Sequence, residues 1–210
     1  MKVVVFSDCH IDGVSQVLTR DEYLKEIMLA IKASEETGCP IIFLGDNYDF
    51  KNSLDPSSTI SFSNEVDSIL NKSHADIYSI LGNHEDYNGH ELSQRDILSI
   101  NGKTVFIHHG YQAKYGKCER FIPGCGKFMR AIKYIGVIYR KIYPWSLTCE
   151  TSKYLKDFKY NNCPGAKYSL SGHIHPKETY SFIDNVGCRH FIFKQGVSFV
   201  DLESFTANTI

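Results

Sequence analysis

The sequence predicts one α/β domain built on a largely buried sheet, and three observations lead there. Short apolar runs rich in β-branched residues alternate with amphipathic helical stretches through the first half of the chain. Each run gives way to a glycine or an aspartate. An Asn-Gly pair between two apolar segments then opens the second half with a hairpin signature. The length of 210 residues suits a single domain, including one that carries a large insertion.

The elements follow in order. Val3-Val4-Val5-Phe6 is a buried-strand run ending at Ser7-Asp8. Thr19 and Glu22 have capping-box spacing, and Leu24, Ile27, Met28 and Ile31 recur at helical spacing until Gly38. Ile41 to Leu44 is a second strand, running into Gly45-Asp46. A polar, Ser-rich stretch from Asn52 leads to a helix carrying Val66, Ile69 and Leu70. Ile77 to Leu81 is a third strand, stopping at Gly82. Ile97–Ile100 and Thr104–Ile107 flank Asn101-Gly102, a pair that tolerates the positive φ of a type I′ turn. Further strands are expected at Tyr168–Leu170, Tyr180–Ile183, Arg189–Phe193 and Val197–Leu202.

Composition excludes several classes. With 42% apolar and 22% charged residues, the chain is not a disordered one. No uninterrupted apolar stretch approaches the ~18 residues of a membrane span. The start, MKVVVFSDCH, has too short an apolar core for a signal peptide. Seven scattered cysteines without a C-x-x-C pair read as free thiols of a reducing cytosol, so a cytoplasmic location is expected. The net charge of −1 hides an acidic body and a basic insert: Lys114–Tyr160 carries 11 basic and 3 acidic residues.

The chemistry sits at the strand ends, where ligands bind in open α/β sheets. The first strand ends in Asp8-Cys9-His10, the second in Gly45-Asp46-Asn47-Tyr48-Asp49 and the third in Gly82-Asn83-His84-Glu85. The hairpin ends in His108-His109-Gly110, and the Tyr168 strand in Gly172-His173-Ile174-His175. Oxygen and imidazole donors of this kind suit Mn, Fe or Zn. In D-x-H and H-x-H, alternate residues of an extended segment reach one cavity. Seven candidate ligands exceed the about four that one zinc takes, and fit two ions sharing a carboxylate.

The ordered set DCH, GDNYD, GNHE, HHG and GHIH resembles the calcineurin-like metallophosphoesterases, over the chain from Asp8 to His175. The resemblance implies a four-layer α/β/β/α sandwich and a centre of two divalent metals. Asp8, His10, Asp46 and His175 would hold one ion; Asp46 (bridging), Asn83, His109 and His173 the other. His108 competes with His109 for one slot. His109 is chosen because the family's ligand usually directly precedes the glycine, so His108 should face away. The implied reaction is in-line attack on phosphorus by a hydroxide bridging the metals. His84 would stabilise or protonate the leaving oxygen, and Asp49 would orient its imidazole. Glu85 is expected to be a structural partner. Manganese is the expected metal, with Fe or Zn as alternatives.

The substrate is constrained less. Phe50 follows Asp49 where the protein-phosphatase branch carries arginine, which disfavours protein dephosphorylation. In the insert, Phe128, Ile132, Ile135, Tyr139 and Ile142 share one helical face. Arg130, Lys133, Arg140 and Lys141 fall on the other half and are candidate substrate-binding residues. A basic amphipathic helix followed by Pro144-Trp145 can roof a pocket for an amphiphile or lie on an anionic membrane surface. Its position is similar to that in the UDP-2,3-diacylglucosamine pyrophosphohydrolase branch, whose best-known members carry arginine in place of His84. A small or amphiphilic phosphodiester, phosphomonoester or pyrophosphate is therefore the leading substrate class. A nuclease or cyclic-nucleotide phosphodiesterase is the alternative enzyme, and a metal-bound scaffold protein without activity is the alternative of another class.

Overall fold

The computed structural model describes residues 1–85, 95–110, 155–204 and 206–209. Its first strand, β1 (Lys2–Ser7), shows why the opening run is apolar on both faces. Val3 and Val5 enter one core cluster and Val4 and Phe6 another, all fully buried. A strand covered on both sides needs no polar alternation. β1 pairs in parallel with β2 (Ile41–Phe43), which pairs in parallel with β3 (Ile77–Ser79). On its other edge β1 pairs antiparallel with β9 (Gly196–Asp201), and β9 with β10 (Thr206–Thr209).

The two connecting helices begin and end where their capping chemistry sets them. α1 (Arg20–Thr37) carries the expected capping box at Thr19 and Glu22 and ends at Gly38, with φ 67°. α2 (Pro56–Leu70) starts earlier than Val66 suggested. The Asp55 carboxylate accepts the Ser58 N–H at 3.1 Å and Pro56 takes the first turn, so the Ser-rich stretch is itself largely helical. Ile27 and Ile31 of α1 and Phe62 and Val66 of α2 bury against the outer face of the sheet.

A second five-stranded sheet has the order β4–β5–β6–β8–β7. β4 (Arg95–Ile100) and β5 (Lys103–His108) form the expected hairpin. Asn101 and Gly102 both have positive φ, 50° and 71°. β6 (Tyr168–Ser171) lies parallel to β5 and to β8 (Arg189–Ile192), and β7 (Tyr180–Ile183) closes the edge antiparallel to β8. The core between the sheets joins Val3, Val5, Ile42 and Leu44 to Ile107, Tyr168, Leu170 and Phe193. A helix layer, a sheet and a second sheet thus stack in that order.

The chain divides into two compact units, Met1–His109 with Gly165–Ile210, and Gly110–Pro164. In the second, residues 155–162 are helical, and the buried Lys159 ammonium donates to the Pro164 carbonyl oxygen at 3.0 Å. The expected amphipathic helix, with Arg130, Lys133, Arg140 and Lys141, lies outside the described residues. Among the described residues no helix is long and apolar enough to cross a membrane. Cys9, Cys39, Cys163 and Cys188 are buried free thiols.

Leu170, fully buried between the sheets, tests the packing. Leu170→Ala should lower stability by about 2–5 kcal/mol, read as a lower urea midpoint at unchanged m-value.

Candidate metal centre

Every expected ligand lies in the first unit, and the backbone that presents the ligands is strained. Seven non-glycine residues among those described adopt positive φ, and five of them are expected ligands: Asp8 (53°), His10 (50°), Asp46 (52°), His173 (68°) and His175 (49°). The left-handed region is costly for non-glycine residues, and such conformations persist where surrounding bonds over-determine them. Those bonds are on hand. The Asp8 carboxylate accepts the His173 N–H at 2.9 and 3.0 Å, and Asp46 Oδ1 accepts the His84 N–H at 2.7 Å. The backbone N–H of His10 donates to the Asp46 carbonyl oxygen at 2.9 Å.

Glycines permit the close approach. A Cβ on Gly82 would overlap the Asp46 carboxylate, and one on Gly172 would overlap Ser7 and Asp8. Loops after different strands therefore touch through backbone, leaving the side chains to converge in front of them.

They converge as two groups, Asp8 with His10 and His175, and Asp46 with His109 and His173. His10 Nε2 lies 3.3 Å from His175 Nε2, which lies 3.1 Å from Asp8 Oδ1. His109 Nε2 lies 3.0 Å from Asp46 Oδ2 and 3.2 Å from Asn83 Oδ1. A divalent ion with bonds of ~2.1 Å spaces its donor atoms by about 3–3.4 Å, so the set fits such ions. His10 Nδ1 is buried with no hydrogen-bond partner and faces Asp49 Oδ2 at 3.9 Å. His109 points into the site and is locked there: its Nδ1 donates to the Leu44 carbonyl oxygen at 2.8 Å, which frees Nε2 as a donor atom. His108 points elsewhere, 3.2 Å from Ser169 Oγ and stacked on Phe106.

Charge fits the same reading. Burial pushes His10 down to about 4 and His173 down to about 3, so both rings are neutral at pH 7 and offer a lone pair. Burial works against a charge on His109 as well, but the Asp46 carboxylate outweighs it and lifts the ring to about 9, so at pH 7 Nε2 carries a proton that an ion would have to displace. Asp8 and Asp46 lie below the usual carboxylate range, because the facing histidines overcome the cost of burial. The Asp46 charge acts on both His10 and His109.

His84 and Asp49 also meet. His84 Nδ1 is 2.8 Å from Asp49 Oδ1, and both belong to a third close group with His10. Burial opposes a charge on His84, but the hydrogen bond to Asp49 and the charges of Asp46 and Asp49 outweigh it and raise its pKa. Three further residues serve the site, of which only Glu85 belongs to a motif and was expected as a structural partner. Asn52 Nδ2 donates to Asp49 Oδ1 at 2.9 Å, and the Lys51 ammonium donates to the Asn83 carbonyl oxygen. Glu85 is the third: Oε1 accepts the N–H groups of Asn47 (2.7 Å) and Tyr48 (3.1 Å), and Oε2 those of Asp46 (3.0 Å) and Gly82 (2.9 Å). Burial raises its pKa to about 7.

A profile of the calcineurin-like phosphoesterases matches residues 1–177. The chain belongs to that family. No curated protein matches it. Among solved structures, a predicted phosphoesterase from Streptococcus pneumoniae TIGR4 is 12% identical, with 95% of this chain and 83% of that one covered, at a TM-score of 0.45. Vps29 complexed with zinc from Entamoeba histolytica is 12% identical, with 99% and 96% covered, at 0.47. A Thermotoga maritima protein solved by NMR is 17% identical, with 99% and 95% covered, at 0.47. For this calcineurin-like phosphoesterase the family implies divalent metal ions and, in general, hydrolysis of phosphoesters.

The Glu85 bonds can be tested by exchange. Glu85→Gln sets an NH2 against two of the four buried donors. At about 1–3 kcal/mol for each donor left unpaired, it should cost about 2–6 kcal/mol of stability and lower metal content, read by urea melts and metal analysis.

Proposed function

We propose that this chain is a phosphohydrolase that works with two divalent ions, manganese foremost, and cleaves a phosphodiester, phosphomonoester or pyrophosphate. The observation that carries the reading is the paired donor geometry, with separations of 3.0–3.3 Å within each of the two clusters. One ion would be held by Asp8, His10, Asp46 and His175, the other by Asp46, Asn83, His109 and His173. Ions bound there supply Lewis acidity and lower the pKa of water.

The remaining chemistry belongs to the chain. His84 holds its Nδ1 to Asp49, so Nε2 is the ring atom able to give a proton to a leaving oxygen. The raised pKa of His84 favours the protonated form that this step needs. Asn52 fixes Asp49 by donating to both of its carboxylate oxygens, and so keeps the imidazole aimed. Lys51 places a cation beside Asn83, where it could meet a phosphoryl oxygen. The proposal extends, on the sequence of the basic insert, to an amphiphilic UDP-sugar-lipid-like substrate met in the cytoplasm or at an anionic membrane surface.

Hydrolysis of bis-p-nitrophenyl phosphate with added manganese tests the core of this reading. Asp46→Ala should lose metal and turnover together. His84→Asn should keep its metal and lose about 10²–10⁴ in kcat. Normal turnover by His84→Asn would remove the proton-donor role. Full metal loading without turnover on diesters, monoesters and pyrophosphates would favour the scaffold alternative.

A further inference from the structure

The turn from β7 to β8 holds a cluster of side chains that the proposed reaction does not use. Asp184, Cys188 and His190 are all buried, and each offers one donor atom within 4.8 Å of the others. Their spacing is D-x-x-x-C-x-H. β8 runs parallel to β6 with Arg189 opposite Tyr168, so the cluster lies by the amino end of β6. The loop that bears His173 and His175 leaves the carboxyl end of that strand, so the cluster is separate from the metal centre.

Local bonds build the turn and aim its side chains. The Asp184 N–H donates to the Cys188 carbonyl oxygen at 3.0 Å, and the Gly187 N–H to the Asp184 carbonyl oxygen at 3.1 Å. Gly187 supplies the positive φ of the reversal, 81°. Asp184 Oδ1 accepts the N–H groups of Cys188 at 2.8 Å and of Val186 at 3.1 Å. That fixes the carboxylate, and its other oxygen lies 3.1 Å from His190 Nε2. The His190 ring is stacked on Phe182 at 4.6 Å, with 4° between the planes. Metal ligands are oriented in this way, by hydrogen bonds and packing behind the donor atoms.

A buried Asp–His pair serves structure alone in many cores; the thiol beside it changes the chemistry. Among the described residues, Cys188 is the only cysteine that belongs to a cluster of potential metal ligands. At 1% exposure its sulfur is closed to a substrate, which excludes a nucleophile's role. Thiolate, imidazole and carboxylate together are a zinc donor set. Around such an ion the donors stand about 3–3.6 Å apart, so the cluster has about 1 Å to close. A divalent ion with one carboxylate, one thiolate and one neutral imidazole also carries no net charge, which suits a buried place.

We propose that Asp184, Cys188 and His190 bind a zinc ion that pins the β7–β8 turn, with a water in the fourth position. Binding releases the thiol proton, and the ion is taken up as the hairpin closes during folding, so the donors end up buried around it. The thiolate selects zinc here, whereas the oxygen and imidazole donors of the metal centre accept manganese.

Cobalt is the probe, because a cobalt–thiolate bond gives a charge-transfer band in the near ultraviolet that oxygen and imidazole ligands do not give. Titration of the full chain with cobalt should produce that band in the wild type and equally in Asp46→Ala. Cys188→Ser should abolish it while melting cooperatively in urea with an unchanged m-value. Asp184→Asn keeps an acceptor for the two N–H groups of the turn but removes the anion, and should shift the titration midpoint by more than about tenfold. Excess zinc should raise the urea midpoint of Asp46→Ala and leave that of Cys188→Ser in the same background unmoved. No thiolate band in the wild type, a band lost with Asp46, a band kept by Cys188→Ser or an unshifted Asp184→Asn titration would each overturn the proposal.

Discussion

The site depends on carboxylates that accept backbone N–H groups from loops distant in sequence. Asp8 takes the N–H of His173, Asp46 that of His84, and Glu85 those of four residues in two loops. Each left-handed residue costs about 1–3 kcal/mol, and a hydrogen bond to a charged group contributes about 1.5–3 kcal/mol. The two are of one size, so the strained turns hold only while the cross-loop bonds are made. The same carboxylates then carry out two tasks, since Asp8 and Asp46 fix the backbone and also supply donor atoms to the clusters. Backbone geometry and metal chemistry are therefore coupled through two side chains.

What the sequence revealed was whatever is encoded locally. Strand runs, the Thr19–Glu22 capping box, the αL residue at Gly38 and the Asn101-Gly102 turn each depend on a few adjacent residues, and each lies where expected. Short motifs at strand ends named the residues that gather in the two clusters in the same way, because a parallel sheet brings such ends to one edge. The unlike behaviour of neighbouring His108 and His109 also follows from strand alternation, once β5 is placed between β4 and β6.

The unread part was non-local. Glu85 sits next to His84 in a motif, but three of its four partners become visible only when the loops after β2 and β3 are brought together, up to 39 residues apart. Asn52 carries no spacing signal, as its role is set by where Asp49 turns. The Asp55 cap was hidden in a Ser-rich stretch that reads as loop. β10 is a short polar strand, Thr-Ala-Asn-Thr, with no apolar pattern to mark it, and its place is set by β9.

The central claim is that the two clusters around Asp46 form one centre of two ions. Electron paramagnetic resonance of the manganese-loaded protein, with metal content measured on the same sample, addresses it most directly. The account predicts close to two manganese ions per chain and an exchange-coupled spectrum, since ions sharing a bridging carboxylate lie ~3.5–4 Å apart. One ion per chain, or two giving only the spectrum of isolated manganese, would contradict it.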